Sequence, residues 1–324
     1  MPITHVTKDP EALTMTVVAD FPAPLRRLWD AYVDPRQLER FWGPPEWPAT
    51  FTRHDAAVGG VSSYLMRGPD GSVSRGYWEW LSVDELKGFE VLDGFALEDG
   101  TPNREMPSMR MVFAFEAVGS GSRVTTTTYF NAVEEMEQLV EMGMEDGMRA
   151  AMGQMDSVLT DLASFAAGNG VETQILSDTL VRVSRVIRGS VADVWRAHDD
   201  AELMRQWLLG PDGWTMPVCE IASTVGQTYR YEWAPEAGTE GERFGFTGEL
   251  LESMPPVRVV TTEAMIGMDG PSTTNEMTLT PVDGGTLLSL LITYPSAEVR
   301  DMILATGMTT GMETSYQRLE SLIA

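Results

Sequence analysis

Few side chains in this sequence are of the types that carry out nucleophilic or acid–base catalysis. There are three histidines, His5, His54 and His198, and a single cysteine, Cys219. The histidines do not have the spacing of metal ligands, and no Ser-His-Asp or Cys-His arrangement can be recognised. We therefore predict no catalytic residue, no metal ion and no cofactor.

Each of these residues has a simpler interpretation. We expect His54 on the surface of a strand or loop, and His198 as a cap at the C-terminal end of a helix. Cys219 lies in a segment typical of a strand and lacks the basic neighbour that a reactive thiol needs, so we interpret it as a small buried hydrophobe. A lone cysteine cannot form an internal disulfide, which favours a reducing compartment.

Carboxylates are abundant, with 48 Asp and Glu against 23 Lys and Arg, and the net charge is -25. We interpret Glu79, Glu232 and Glu249 as solvated strand residues rather than general bases. The negative charge argues against nucleic-acid binding, which depends on Lys and Arg, and against anionic membranes. Its simplest consequence is solubility.

The composition is that of a globular protein. Hydrophobic residues make up 43% of the 324 residues, which is enough to build a core. No apolar run approaches the ~18 residues needed to cross a bilayer, and residues 1–11 lack the pattern of a secretory signal. We expect a cytoplasmic protein with two domains of roughly 150 residues each.

The chain contains an internal repeat. Trp29 recurs as Trp195 at a shift of 166, and the motif Gly-Met-x-x-Gly-Met begins at Gly143 and again at Gly307, at a shift of 164. We predict a first domain over residues 1–165, a linker over 166–177 and a second domain over 178–324. We expect the two copies to pack as an intramolecular pseudo-dimer that replaces a homodimer.

The same order of elements is predicted in each copy. Apolar residues alternate from Leu13 to Ala19, and the second copy has a similar segment from Leu180 to Ile187, so each copy opens with a strand. Two short helices follow, and in the first copy they begin near Pro24 and at Asp34-Pro35. Strand segments separated by glycine-rich turns then indicate an antiparallel sheet.

A long helix is predicted to close each copy, over about 133–165 and 297–323. Methionines mark the apolar face of these helices: Met144, Met148, Met308 and Met312. An apolar helix face needs a sheet to cover. The glycines between the methionines cost about 1 kcal/mol each in helix stability, which indicates a close approach of the backbone to the sheet or to a ligand.

This order resembles the helix-grip fold of the START-like (SRPBCC) superfamily. The segment from Pro24 to Pro44, which contains Leu28-Trp29, Asp34-Pro35 and Phe41-Trp42-Gly43, is similar to the opening of the branch named after the activator of the ninety-kilodalton heat-shock chaperone ATPase. The second copy repeats it with Val194-Trp195, Asp200, Trp207 and Gly210-Pro211. We predict an α+β protein of two tandem helix-grip domains, each a curved antiparallel sheet around a long C-terminal helix, with two short helices after the first strand.

The resemblance implies a deep cavity between the sheet and the closing helix of each domain. It implies that the protein binds an apolar small molecule there. Because some relatives are cyclases or hydroxylase components, a cyclase- or dehydratase-type enzyme is the first alternative. A co-chaperone-like or regulatory interaction protein is the second, although we recognise in this sequence no counterpart of the separate N-terminal domain with which the eukaryotic co-chaperone binds the chaperone.

Aromatic and methionine side chains are the candidate cavity lining. In the first copy they are Trp42, Trp47, Tyr64, Trp78, Phe113, Tyr129, Met144 and Met148. In the second copy they are Trp207, Trp214, Tyr231, Trp233, Phe246, Met308 and Met312. For each of them, ordinary packing in the core is the alternative interpretation.

Overall fold

The structure, a computed structural model, describes residues 2–141, 143–161, 170–268 and 270–323. The chain divides into two compact units with a boundary near residue 164. Each unit contains an eight-stranded antiparallel sheet and several helices, so the prediction of two tandem α+β domains is confirmed. Among the described residues, no helix is both long enough and apolar enough to span a membrane.

The first domain has eight strands and five described helices. The elements are β1 (Ile3–Asp9), β2 (Thr14–Phe21), α1 (Leu25–Val33), α2 (Pro35–Leu38), β3 (Ala49–His54), β4 (Val61–Arg67), β5 (Val73–Asp84), β6 (Gly88–Phe95), β7 (Ser108–Val118), β8 (Gly121–Tyr129), α3 (Val133–Glu141), α4 (Met144–Gly153) and α5 (Met155–Thr160). The strand order is β1-β2-β8-β7-β6-β5-β4-β3.

The second domain repeats this arrangement. Its elements are β9 (Glu172–Ile175), β10 (Leu180–Ile187), α6 (Val191–Asp199), α7 (Ala201–Trp207), β11 (Trp214–Glu220), β12 (Thr228–Pro235), β13 (Phe244–Met254), β14 (Arg258–Met265), β15 (Thr273–Val282), β16 (Gly285–Thr293), α8 (Ala297–Leu304) and α9 (Met308–Ile323). The strand order is β11-β12-β13-β14-β15-β16-β10-β9.

The predicted linker is partly corrected by strand β9. Residues 166–169 lie outside the described residues, but Glu172–Ile175 pair antiparallel with β10 and form the edge of the second sheet. Such a short and largely exposed strand has no hydrophobic alternation from which it could be predicted.

The local signals for the opening elements are confirmed. On β2, the residues Met15, Val17 and Ala19 are buried in alternation. The Asp34 carboxylate accepts a hydrogen bond from the Arg36 backbone N–H at 2.9 Å, with proline at the first helical position of α2. This cap satisfies an N–H group that has no partner inside the helix.

The prediction of one continuous closing helix is wrong in the described residues. The first domain has α3, α4 and α5 in its place, and the second has α8 and α9. Gly143 and Gly307 adopt φ angles of +90° and +75°, which end the preceding helical segment in both domains. Close backbone approach does not explain Gly147, because a Cβ atom added there would contact nothing within 4 Å.

The closing helices are attached to the same point in both domains. In the first domain, the Gln154 side chain donates a hydrogen bond to the carbonyl of Gly43 at 2.8 Å. In the second, Arg318 donates to the carbonyl of Gly210 at 2.6 Å. Both glycines follow the second short helix, so the loop after that helix is fixed to the closing helix in each copy.

A buried ion-pair network also holds α9 against the second sheet. The Arg185 side chain on β10 is only 4% exposed, and its guanidinium lies 3.1 Å from Glu313 and 2.9 Å from Glu320. Although burial opposes ionisation, the hydrogen bonds from Arg185 lower the pKa of Glu320. Removal of the arginine would leave these carboxylates without their main counter-charge.

We expect Arg185→Met to destabilise the second domain by about 3 kcal/mol, because it leaves poorly solvated carboxylates behind. The matched control is Arg188→Met, since the Arg188 side chain is 82% exposed in its ion pair with Glu320 and should contribute less than about 1 kcal/mol. Urea unfolding followed by tryptophan fluorescence measures both effects. Equal losses of stability in the two variants would contradict this interpretation.

Candidate functional site

A cavity of about 250 Å³ lies between the inner face of the first sheet and helix α4. Its walls are mainly aromatic and methionine side chains: Tyr32, Phe41, Trp42, Tyr64, Met66, Met109, Met111, Phe113, Met144, Met148 and Met152. One carboxyl group, that of Asp93, lies on the same wall. This is an apolar space with a single titratable acid.

A cavity of about 350 Å³ occupies the corresponding place in the second domain, between the sheet and α9. Its walls again include aromatic and apolar side chains, among them Trp195, Trp207, Tyr229, Tyr231, Met277, Leu290, Met312 and Tyr316. This cavity is more polar than the first, because His198, Asp199, Glu263 and Asn275 also line it.

Asp93 is held by two neutral hydrogen-bond donors. Its Oδ1 atom accepts from the Tyr64 hydroxyl at 3.0 Å and from the Trp78 indole N–H at 2.9 Å. Burial raises the pKa of Asp93 to about 7, although these two hydrogen bonds act in the opposite direction. The group therefore changes charge near neutral pH.

The register of the sheet explains this placement. Ser62 on β4, Trp78 on β5 and Asp93 on β6 are direct neighbours across three strands. Side chains on one strand face point the same way at every second residue, so Asp93 shares the inner face with buried Phe89 and Val91. The chain thus places a carboxyl at the end of an apolar row.

Glu263 occupies the equivalent position in the second domain. It is the sixth residue of β14, as Asp93 is the sixth residue of β6, and the two are 170 residues apart. The Tyr229 hydroxyl lies 3.4 Å from Glu263 and 2.9 Å from the Thr262 carbonyl oxygen, so its one proton is shared between these two acceptors. Burial raises the pKa of Glu263, and hydrogen bonds from Asn275 and Tyr229 oppose the shift.

The two domains differ by a paired exchange of large and small residues beside their carboxyls: Ser62 lies opposite Trp78 in the first domain, and Tyr229 lies opposite Gly248 in the second. In the register of β13 and β14, the position opposite Glu263 is Gly248, where the first domain has Trp78. The Tyr229 ring lies beside that glycine, since a Cβ at 248 would lie 2.9 Å from the ring and would overlap the carbonyl oxygen of Thr262.

His198 contributes a hydrogen-bond acceptor to the second cavity. Its Nδ1 lies 2.8 Å from the carbonyl oxygen of Val194. Because a carbonyl only accepts, Nδ1 carries the proton and Nε2 keeps a lone pair. Burial lowers the pKa of His198 to about 4, so the ring is neutral at physiological pH. The residue binds a helix carbonyl, as expected for a cap, and also faces the cavity.

The structure brings many of the sequence-predicted residues together. Trp42, Tyr64, Phe113, Met144 and Met148 line the first cavity. Trp207, Tyr231 and Met312 line the second.

Three predicted residues of the first domain lie elsewhere. Trp78 is fully buried on the strand next to Asp93 and donates its indole N–H to that carboxyl. Trp47 covers the turn that follows β4. Tyr129 is on the outer face of β8, with the Arg110 guanidinium 3.9 Å from its ring centroid, because it is one residue out of phase with the inward positions.

Four predicted residues of the second domain also lie outside the cavity lining. Trp214, Trp233 and Phe246 pack around Phe244, with ring centroids 5.3–6.0 Å from it. Met308 packs against the cluster formed by β10 and β16. These aromatic side chains fill the core at the β11–β13 end of the sheet, the alternative interpretation given to them above.

The histidine and carboxylate interpretations need two further corrections. His54 is buried rather than superficial, with Ser62 3.0 Å from Nδ1 and the Val33 carbonyl 2.9 Å from Nε2. Glu232 is also buried, in ion pairs with Arg230 and Arg243. Cys219 is buried as predicted. No group of three metal-ligating side chains occurs in the described ranges.

The cavity carboxyls Asp93 and Glu263 were missed by sequence reasoning. The sequence did contain a signal for these acids. Phe89, Val91 and Asp93 alternate with outward-facing residues, and an acid, Glu263, recurs at the equivalent position of the second copy. That recurrence falls at a shift of 170, whereas the visible motifs repeat at 164 to 167, so the two acids do not align by eye.

Comparison with known families agrees with this architecture. The family described as Activator of Hsp90 ATPase homolog 1-like protein matches two segments of the chain, residues 22–160 and 188–324. No curated protein matches the chain.

Several solved structures are similar to single domains or to the whole chain. A protein from Mycobacterium smegmatis is 44% identical over 49% of this chain and 98% of its own, with a TM-score of 0.46. One from Arthrobacter aurescens is 44% identical over 49% of this chain and 92% of its own, with a TM-score of 0.47. DynU16, from the dynemicin biosynthetic locus, is 14% identical over 98% of this chain and 100% of its own, with a TM-score of 0.34.

The raised pKa of Asp93 predicts a specific pH dependence of stability. Between about pH 4 and 7 the folded protein binds more protons at this site than the unfolded chain, so the stability that Asp93 contributes is complete below about pH 4 and is lost as the pH rises through 7. Relative to the wild type, Asp93→Asn should therefore gain up to about 4 kcal/mol over this interval.

Urea unfolding of both proteins across this pH range measures the difference. Glu98→Gln is the control, because Glu98 is exposed and should follow the wild type. A stability difference between Asp93→Asn and the wild type that does not vary with pH would refute the assignment.

Proposed function

The chain belongs to the family of Activator of Hsp90 ATPase homolog 1-like proteins, and from that premise we propose that it binds an apolar small molecule in one or both cavities. One observation carries this proposal. In both domains a space between the sheet and the closing helix is walled by aromatic and methionine side chains rather than filled by them.

The size of the cavities limits the ligand. Cavities of about 250 and 350 Å³ are near the lower end of small-molecule sites. An apolar cavity of about 150 Å³ holds one benzene ring, so these spaces suit a molecule of about two rings. Burial of about 250 Å² of apolar ligand surface would contribute about 6 kcal/mol before the entropic cost of binding.

The wall residues favour a permissive site. Met144, Met148 and Met152 present unbranched, polarisable side chains from one helix face to the first cavity. Gly147 leaves open space between them. Such a wall can adapt to ligands of different outline, whereas the Asp93 carboxyl fixes their orientation.

Binding is tested with the neutral fluorescent probe N-phenyl-1-naphthylamine. We expect saturable binding at one or two sites. Met148→Glu should remove the first-domain site and Met312→Glu the second-domain site, because each places a charge in an apolar wall.

Matched controls are Ala150→Glu on α4 and Thr310→Glu on α9, both at exposed positions of the same helices. Circular dichroism checks that all four variants are folded. Probe binding that is unchanged in the Met148→Glu, Met312→Glu double variant would refute the proposal.

A second candidate function, a cyclase- or dehydratase-type enzyme, is favoured by one observation. Each cavity contains a carboxyl group whose pKa is raised by burial, Asp93 and Glu263. A buried carboxyl with a raised pKa is suited to transfer protons to and from a bound substrate.

This alternative predicts catalysed exchange of the α-hydrogens of an apolar ketone such as 2-acetylnaphthalene in deuterated water. Exchange followed by NMR should be faster with the wild-type protein than with the Asp93→Asn, Glu263→Gln double variant. Equal rates with and without the protein would leave binding as the function and exclude this enzymatic role for such ketones.

A further inference from the structure

Both cavities contain an acid that lacks a cationic partner. The side-chain partners of Asp93 are the hydroxyl of Tyr64 and the indole of Trp78. Those of Glu263 are Tyr229 and Asn275. Within the part of the chain that the structure describes, no Lys or Arg lines either cavity.

This absence contrasts with the treatment of buried acids elsewhere in the protein. Glu320 is bound by Arg185, and Glu232 is bound by Arg230 and Arg243. Arginine is thus available in this sequence for neutralising buried carboxylates. The two cavity acids, which occupy equivalent positions, are left to neutral donors.

The hydrogen bonds at Asp93 favour the anion. Both neighbours donate to the same oxygen, Oδ1, and donors stabilise a carboxylate rather than a carboxylic acid. No partner for Oδ2 is present among the described residues, and Asp93 lines the cavity. A ligand can therefore meet a carboxylate oxygen that has already lost part of its hydration.

The rings around this carboxyl also favour positive charge. The Trp42 ring lies edge-to-face against Trp78 and Tyr64, at centroid distances of 4.5 and 6.2 Å. Both of these residues bind Asp93, so aromatic rings surround the acid. An aromatic face that a ligand contacts in this cavity attracts an ammonium group, most strongly where water is excluded.

The second cavity also favours a positively charged ligand, although its polar residues differ from those of the first cavity. His198 lines this cavity, and its neutral ring keeps the lone pair of Nε2 as a hydrogen-bond acceptor. Asp199 adds a second carboxylate to the wall. Glu263, Asp199 and His198 thus offer acceptors to a ligand, and none of them is a cation.

We propose that the ligands of these cavities are organic cations, in which an apolar ring system of about two rings carries a protonated amine. The ring fills the apolar space and the ammonium group pairs with Asp93 or Glu263. This inference rests on the function proposed above, since it specifies the chemical class of the ligand. A neutral ligand would leave the buried carboxylate uncompensated, or force it to take up a proton.

Three naphthalene derivatives of similar size test the proposal by isothermal titration calorimetry at about pH 8, where Asp93 is ionised. They are 1-naphthylmethylamine, which is a cation at that pH, 1-naphthylmethanol, which is neutral, and 1-naphthoic acid, which is an anion. We expect the amine to bind at least tenfold more tightly than the alcohol, and the acid to bind most weakly.

The Asp93→Asn, Asp199→Asn, Glu263→Gln triple variant replaces every carboxyl that lines the two cavities, with little change of shape. It should bind the amine and the alcohol with affinities within about threefold of each other, and circular dichroism verifies its fold. Asp93→Asn should lose the preference at the first site only, and the Asp199→Asn, Glu263→Gln variant at the second site only.

The outcomes separate this inference from the proposed function. If the wild type binds the alcohol as tightly as the amine, or if the triple variant keeps the preference, the inference is overturned and apolar binding stands. If none of the three compounds binds, the inference also falls. Binding of N-phenyl-1-naphthylamine then decides whether the proposed function falls with it.

Discussion

Successive residues of a β-strand point to opposite faces of the sheet, and the architecture of both domains depends on this alternation. Phe89, Val91 and Asp93 share the inner face of β6, so the same geometry that builds an apolar layer also delivers a carboxyl to its edge. Desolvation by that layer is the main cause of the raised pKa of Asp93. The core and the site therefore share the same residues, and burial by the apolar wall raises the pKa of the acid.

Much of the fold could be predicted because its signals are local. The alternation in β2, the cap at Asp34 and the repeated Gly-Met motif each act within a few residues. The break at Gly143 could not be predicted, since glycine at an interior position of a helical pattern does not reveal its φ angle. The edge strand β9 was missed because its pairing with β10 is tertiary.

The site was less predictable than the fold for a related reason. Aromatic character identifies residues that become buried, but it does not separate a cavity wall from the core behind it. Trp42 and Trp78 are both aromatic, yet Trp42 lines the cavity whereas Trp78 is buried beside it and donates a hydrogen bond to Asp93. Tyr129 lies on the outer face of β8 because inward and outward residues alternate along the strand. The sequence alone did not show which of the two sets of residues points inward.

The exchange of Trp78 for Gly248 has a consequence for how the two halves diverged. Introducing a large side chain at 248 would collide with the Thr262 carbonyl and the Tyr229 ring, whereas shrinking Trp78 would empty a fully buried volume and remove a donor from Asp93. Neither half can reach the other's arrangement through a single tolerated substitution. The two positions of each pair are therefore coupled, so the effects of substitutions at them on stability should not be additive.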